Sequence, residues 1–425
     1  PSGQITGDGL AAWFIPGSFR FCLNCGVAYD GSVRSDLTKL SGLSSEGRSS
    51  ATTVLTISAL KYLIGTDLGD QAKKVLGFTD NRQDASLQAG HFNDSVQILL
   101  LRGALLAAIR SQSARQLTDD VLTQKVLDHL HLEPADYAAN PEAKGIKAQN
   151  TLKTLRDVLG YRLYFDLQRG WRITNPNLEQ VRLLAIDYQG LKECCEDETE
   201  WQKGHPLLGS ATPKQRYAIV HDLLDRMRKA LCIKTIYLDP NFQEQIRNRS
   251  FNELREPWGL SEDERLFSHA YMVPRARPAA DRSEERIVHI SWRSMFGRRV
   301  RAQASWTGNP HFPRKFDEET YNAVIDDILR VLATYGYVER TELDRGRLGY
   351  RIDSSVLAWK LTDGFNEERA GSINIFYRTL YDNVAKLLQA SDRFLHQLEA
   401  REHTAQVDTD IRVDREARFR KGLAP

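Results

Sequence analysis

The sequence is poor in several things. Its 425 residues include five cysteines, an odd number at irregular spacing, so they form no disulfide framework and suit a reducing compartment. No stretch of about eighteen consecutive apolar residues occurs, and no secretory leader, so the chain reads as cytoplasmic with no membrane partner. Neither sign of charge prevails: 58 Lys and Arg stand against 56 Asp and Glu, a formal net charge of +2. No global field draws the protein to nucleic acid, and any basic surface is local. A phosphate-cradling loop of the form G-x-x-x-x-G-K-[ST] is missing. No D-E-x-H or D-E-x-D string follows a strand, Glu262-Asp263-Glu264 lying in a polar loop, and no arginine-finger motif is visible. By itself the chain is therefore expected not to hydrolyse ATP. No Ser/His/Asp or paired-carboxylate arrangement can be defended from spacing.

What is present is organised around residues 73–94, KKVLGFTDNRQDASLQAGHFND. A short apolar strand over residues 75–78 is expected to run through a polar turn into a long helix. Asp80 and Gln83 have the spacing of a capping box. Phe92, Val96, Leu99, Gly103 and Leu106 recur at three- and four-residue steps, predicting one apolar stripe on a helix that reaches Arg110 and packs on a sheet. A helix N-terminus at the carboxyl end of a strand offers free backbone N–H groups and a positive dipole end to a phosphate. Asn81 and Arg82 stand where they could touch it.

GFTDNRQDAS within that segment resembles motif IV of superfamily two helicases, the strand that opens their second RecA-like domain. FRFCLNCGVAYD (residues 19–30), SEGRSSATTVLTISAL (45–60), RGWRITNPNLEQ (169–180) and REHTAQV (401–407) are similar, in this order, to bacterial DEAD/DEAH-box helicases of the large, cysteine-bearing kind. That kind includes DNA-repair helicases with a four-cysteine zinc site and very large helicases found near phage-defence genes. The resemblance implies that Thr79, Asn81, Arg82, His403 and Thr404 face a nucleic-acid backbone. It also implies that ATP and magnesium belong to a parent enzyme whose first RecA-like domain is a partner of this chain.

The rest of the chain divides by character. Residues 1–50 are rich in Gly and Ser and carry Cys22-Leu-Asn-Cys25, a turn that in zinc knuckles points two thiolates at one ion. A zinc site needs four ligands, so this is half a site, with the other pair before Pro1, or else two reduced cysteines in a turn. Residues 51–112 read as a helix, then the 75–78 strand and the long helix, the start of a second RecA-like domain. Residues 113–390 interrupt that domain, far beyond an ordinary loop, and predict a mostly helical insertion. Residues 391–425 would resume it and end before motif V. The chain begins Pro1-Ser2 without methionine and stops at Pro425, which reads as an excerpt of a longer protein.

Two parts of the insertion carry chemistry. Residues 275–315 hold ten Lys or Arg against three acids, with Trp292, Phe296, Trp306 and Phe312 interleaved. Rings that stack on bases and arginines that hold phosphates suit a nucleic-acid groove, with Arg298, Arg299 and Arg301 as its most basic point. The plain alternative is a basic surface loop with aromatics buried beneath it. Residues 316–364 predict a helix, a two-stranded ribbon turning near residues 344–346, and a closing strand over residues 356–361, the ending of a winged helix. Its tip would carry Arg340, Arg345 and Arg347. The fold class expected is thus α/β, part of a RecA-like parallel sheet interrupted by a winged-helix-bearing insertion. The function expected is a portion of an ATP-dependent DNA helicase or translocase, the alternative being a non-catalytic winged-helix DNA-binding or scaffolding protein.

Overall fold

The computed structural model describes residues 52–63, 65–69, 72–78, 82–168, 176–261, 264–276, 285–362, 374–403 and 407–421, apart from the side chains of 82–84, 345 and 421. Helix α1 covers residues 52–63, and α2 (Arg82–Ser111) follows the segment 72–78. Next come β1 (Gln116–Thr118), α3 (Asp119–Leu130), α4 (Pro134–Tyr137), α5 (Ile146–Phe165) and β2 (Leu184–Tyr188). Three short helices, α6 (Leu191–Glu196), α7 (Glu198–Trp201) and α8 (Pro206–Gly209), precede α9 (Pro213–Lys229), β3 (Ile233–Lys234) and α10 (Pro240–Glu253). The remainder is β4 (Tyr271–Val273), β5 (Ile287–His289), α11 (Met295–Val300), α12 (Glu318–Thr334), β6 (Val338–Leu343), β7 (Arg347–Asp353), β8 (Leu357–Leu361), α13 (Ile375–Gln389) and α14 (Thr409–Lys421). The architecture is mixed α/β, with parallel as well as antiparallel strand pairs.

Helix α2 is the centre of the core. The expected stripe is buried, but so are Leu100, Leu101, Ala104, Leu105 and Ala108 on its other sides. A helix apolar all round must be enclosed, and α2 packs chiefly against α13 and α3 and only marginally against strands, which corrects the expectation of a sheet beneath it. The span Ala85–Ser111 is long and apolar enough by composition to cross a membrane, yet 89% of its most apolar window is buried inside the protein. Gly103 sets the closest approach: a Cβ there would lie 2.4 Å from Val384 Cγ1 on α13. Next to it in the chain, Arg102 crosses this apolar interior fully enclosed, a position a charge tolerates only when paired. Its Nη2 donates to Asp166 Oδ1 at 2.6 Å and its Nη1 to the Tyr381 hydroxyl at 2.6 Å, and it is held above its ordinary basicity by Asp166 and Tyr381 against the opposing effect of burial.

Two sheets flank these helices. In the first, of order β1-β8-β2, both pairings are antiparallel and Leu117 and Ile186 stand on either side of Trp359. In the second, β7 pairs with β6 along one edge, while its other edge takes β3 in parallel and β4 antiparallel; β5 then pairs in parallel with β4. The local rules behind these elements are plain. Thr212 caps α9 through a reciprocal box with Gln215, with Pro213 at the first helical position. Gly336, at φ 76°, ends α12 in a left-handed turn, with Tyr337 N–H returning to the Leu332 carbonyl at 2.8 Å.

Three further expectations are corrected. Residues 73–78 form no strand, and Leu76 and Phe78 are 60% and 89% exposed, because no neighbouring strand pairs with them among the described residues. Every named strand lies between Gln116 and Leu361, so the parallel pairs belong to the stretch read as a mostly helical insertion and not to the flanks that would make up the RecA-like domain. The strand expected to close the β6–β7 ribbon, β8, instead sits at the centre of the other sheet, and the ribbon is completed by β3 and β4. A single apolar cluster of described residues runs from Leu60 to Leu398.

Candidate nucleic-acid interface

The neighbourhoods of the two segments that carry the helicase resemblance meet in space. The Asn93 side chain, on α2, donates from Nδ2 to the Ala400 carbonyl at 2.9 Å and accepts from the Ala400 N–H through Oδ1 at 2.8 Å. Lys74 Nζ donates to the Phe419 carbonyl and lies 4.3 Å from the centre of the Phe419 ring. Arg415 Nη1 donates to the Glu402 carbonyl at 2.8 Å. His403 stands at the surface, its Nε2 2.8 Å from Glu416 Oε1. The Asn93 and Lys74 contacts join residues 73–94 to 400–419 through side chains and not through a sheet edge, while Arg415 and His403 tie residues 402–416 together. Thr79, Asn81 and Thr404 lie outside the described residues, as do the proposed metal ligands Cys22 and Cys25 and the side chains of Arg82 and Arg345.

The basic stretch is built on α11. The Ser294 hydroxyl caps it, accepting from the Gly297 N–H at 3.0 Å, and Gly297 is needed because a Cβ there would meet the Ser291 carbonyl at 2.4 Å. This turn presents Arg298 and Arg299 outward. Arg298 reaches the Met295 sulfur at 3.8 Å, whereas Arg299 is tied to Asp222 at 3.3 Å and to the Ala218 carbonyl at 3.4 Å. Arg301 lies flat against Trp292, its guanidinium carbon 4.2 Å from the ring centre. Phe296 and Trp306 are buried, so these rings cannot stack on bases. Phe296 and Trp306 form the floor of a basic surface, as in the plain alternative, whereas Trp292 and Phe312 are half-buried.

The ribbon tip also differs from expectation. Arg340 stands opposite Tyr350 and Arg347 opposite Leu343. Successive residues of a strand alternate in face, so the two arginines project from opposite faces of the ribbon and cannot share one surface. Arg347 Nε donates to the Asp344 carbonyl at 3.2 Å. On α12 the exposed positions include Glu318, Glu319 and Asp326, the last paired with Arg275 at 2.7 Å. That face repels phosphates.

No group of three or more His, Cys, Asp or Glu side chains suited to a metal ion occurs among the described residues. Burial pushes the thiols of Cys194, Cys195 and Cys232 up to about 12, so they are neither nucleophiles nor ready ligands. Sequence reasoning missed one cluster entirely. Arg110, Arg115 and Arg378 line a common cavity, and nothing in their spacing signals it.

Compared with known proteins, the chain matches no family model, no curated protein and no solved structure.

Proposed function

We propose that this chain is part of an ATP-dependent, superfamily two DNA helicase or translocase, contributing nucleic-acid backbone contacts and the start of the second RecA-like motor domain. The observation that carries the reading is the two-way amide clamp between Asn93 and Ala400, 307 residues apart. It holds the helix that continues from the 77–86 segment against the residue just before the 401–407 segment, which a motor domain interrupted by an insertion would bring near each other. In the parent, ATP and magnesium would be held by the first RecA-like domain, and Thr79, Asn81, Arg82, His403 and Thr404 would face the strand, with Arg298, Arg299 and Arg301 extending the track. Zinc at Cys22 and Cys25 would need two further ligands. The pathway would be DNA repair or antiviral defence.

The parent reading frame is expected to encode a phosphate loop before Pro1 and an arginine motif after Pro425. Its product should hydrolyse ATP faster with DNA than without, while this chain alone stays silent. A parent lacking the loop, or an ATPase indifferent to DNA, overturns the reading.

A second reading draws on α9, α11 and α12 standing beside the β4-β7-β6 order, an arrangement with the elements of a winged helix. In such modules the last helix enters the DNA groove, but here α12 exposes Glu318, Glu319 and Asp326. We infer that this unit is a protein-contacting scaffold. Binding of isolated duplex DNA that is weakened by Glu319→Ala, rather than unchanged or strengthened, would contradict it.

A further inference from the structure

Arg301, the residue that ends α11, is laid on the indole of Trp292, its guanidinium carbon 4.2 Å from the ring centre. We propose that Trp292 is a positioning residue, which holds Arg301 as a fixed two-pronged contact for one phosphodiester of a nucleic-acid strand. The inference rests on the nucleic-acid reading of this surface and names the arginine that grips. Helix α11 folds its end back on its own approach. A Cβ on Gly297 would stand 2.4 Å from the Ser291 carbonyl oxygen and 2.5 Å from that of Trp292, so the helix sits directly on those two residues. The Arg301 N–H donates to the Gly297 carbonyl at 3.2 Å and closes the last turn. Trp292 is held in turn, its Nε1 donating to the Phe316 carbonyl at 3.4 Å.

The fork itself holds nothing. Arg301 Nε is enclosed without an acceptor, whereas Nη1 and Nη2 are not enclosed and make no hydrogen bond or ion pair among the described residues. That leaves an end-on approach, in which two parallel N–H bonds meet two oxygens of one phosphate. The carboxylate nearest in sequence to the Phe316 contact is that of Asp317, and it already accepts from the Thr320 N–H at 3.0 Å and hydroxyl at 2.8 Å. The neighbouring arginines are placed differently. Arg299 is paired with Asp222 at 3.3 Å, a carboxylate it shares with Arg226 at 3.1 Å. Arg298 touches the Met295 sulfur alone, at 3.8 Å. A loose arginine loses rotamer freedom when it binds, while one already seated on a ring has given most of it up in the folded state. Arg301 is therefore the pre-organised contact, and Arg298 and Arg299 supply surrounding charge.

The test is fluorescence anisotropy of the full chain with a fluorescein-labelled oligothymidine over a range of salt concentrations. Trp292→Leu keeps every charge and removes the seat, so affinity should fall about fivefold, the weight of one cation–π contact, while the slope of log affinity against log salt stays that of the parent. Arg301→Ala should lower affinity at least as far and also flatten the slope by about 0.7, the share of one phosphate on a single strand. Arg301→Lys should keep the slope but not the affinity, because an ammonium cannot supply the fork, and Trp292→Phe should restore most of the parent affinity. Adding Trp292→Leu to Arg301→Ala should weaken binding no further, since the ring acts only through the arginine. A further loss in that double variant, or parent affinity in Trp292→Leu, overturns the inference and leaves the nucleic-acid reading standing. Should circular dichroism show Trp292→Leu unfolded, Arg301→Lys decides, and parent affinity there overturns the fork. Absence of oligothymidine binding by the parent chain overturns both.

Discussion

Replacing Gly103 by alanine tests the joint on which the fold turns, where the helix bearing the helicase-like segment meets α13. The new Cβ would stand 2.4 Å from Val384 Cγ1, 3.1 Å from Val384 Cβ and 3.3 Å from Leu388 Cδ1. Val384 is β-branched and helical, so its χ1 has one strongly preferred rotamer and the methyl cannot swing aside cheaply. Overpacking of this kind costs about 1–3 kcal/mol, while exchanging glycine for alanine inside a helix returns about 1 kcal/mol. Gly103→Ala should therefore destabilise the protein by about 1 kcal/mol net, within those ranges. Val384→Ala alone should cost about 2 kcal/mol for two buried methyl groups. Combined, the added methyl occupies the space that valine vacates, and the pair should be less damaging than the sum by about 1–2 kcal/mol. Urea unfolding of the four proteins measures this cycle. Additivity within about 0.4 kcal/mol would refute the close packing of α2 on α13.

Arg216, with no exposed side-chain surface, ties α6, α7 and α8 to α9 through Glu198 and the carbonyls of Cys195, Leu208 and Gly209. Arg216→Lys cannot reproduce that fork and should cost about 2–3 kcal/mol, below the range for a wholly enclosed pair because Glu198 is 49% exposed and regains water; a urea midpoint equal to that of the parent would contradict it. In a Cys22→Ser, Cys25→Ser background, Cys194, Cys195 and Cys232 should resist a thiol reagent at pH 8 until the chain is unfolded, and rapid native labelling would contradict their burial. Because folding raises these thiols from the ordinary 9.0 to about 12, the folded state favours the protonated form, so their contribution to stability is complete below pH 9 and is lost as pH rises from there toward 12. A stability flat from pH 8 to 11 would argue against it.

Much of the local structure was legible. Pro213 with the spacing of Tyr217, Val220, Leu224, Met227 and Leu231 announces α9, the spacing of Tyr321, Val324, Ile328, Val331 and Leu332 announces α12, and Gly336 announces its end. Each of these signals acts within a few residues. What depends on distant partners was not legible. The apolar run at 75–78 has the composition of a strand, but a strand exists only where another pairs with it. The β8 sequence is equally apolar, and only the tertiary positions of β1 and β2 draw it away from the ribbon beside it in sequence. Phe296 and Trp306 were ambiguous for the same reason, since an aromatic among arginines serves a core or a base equally well until burial is known. The cavity of Arg110, Arg115 and Arg378 needs residues drawn from both ends of the chain.

The central claim is that this chain lies along a nucleic-acid backbone, and its most direct test is the salt dependence of DNA binding. Each neutralised phosphate releases counterions and contributes about 0.7 to 0.9 to the slope of log affinity against log salt. Arg298 and Arg299 stand exposed, and Arg301 is seated on Trp292 beside them. Changing all three to alanine should weaken binding to many sequences alike and flatten the slope by roughly two units. Affinity and slope equal to those of the parent protein, on single- and double-stranded DNA at every salt concentration, would contradict the account.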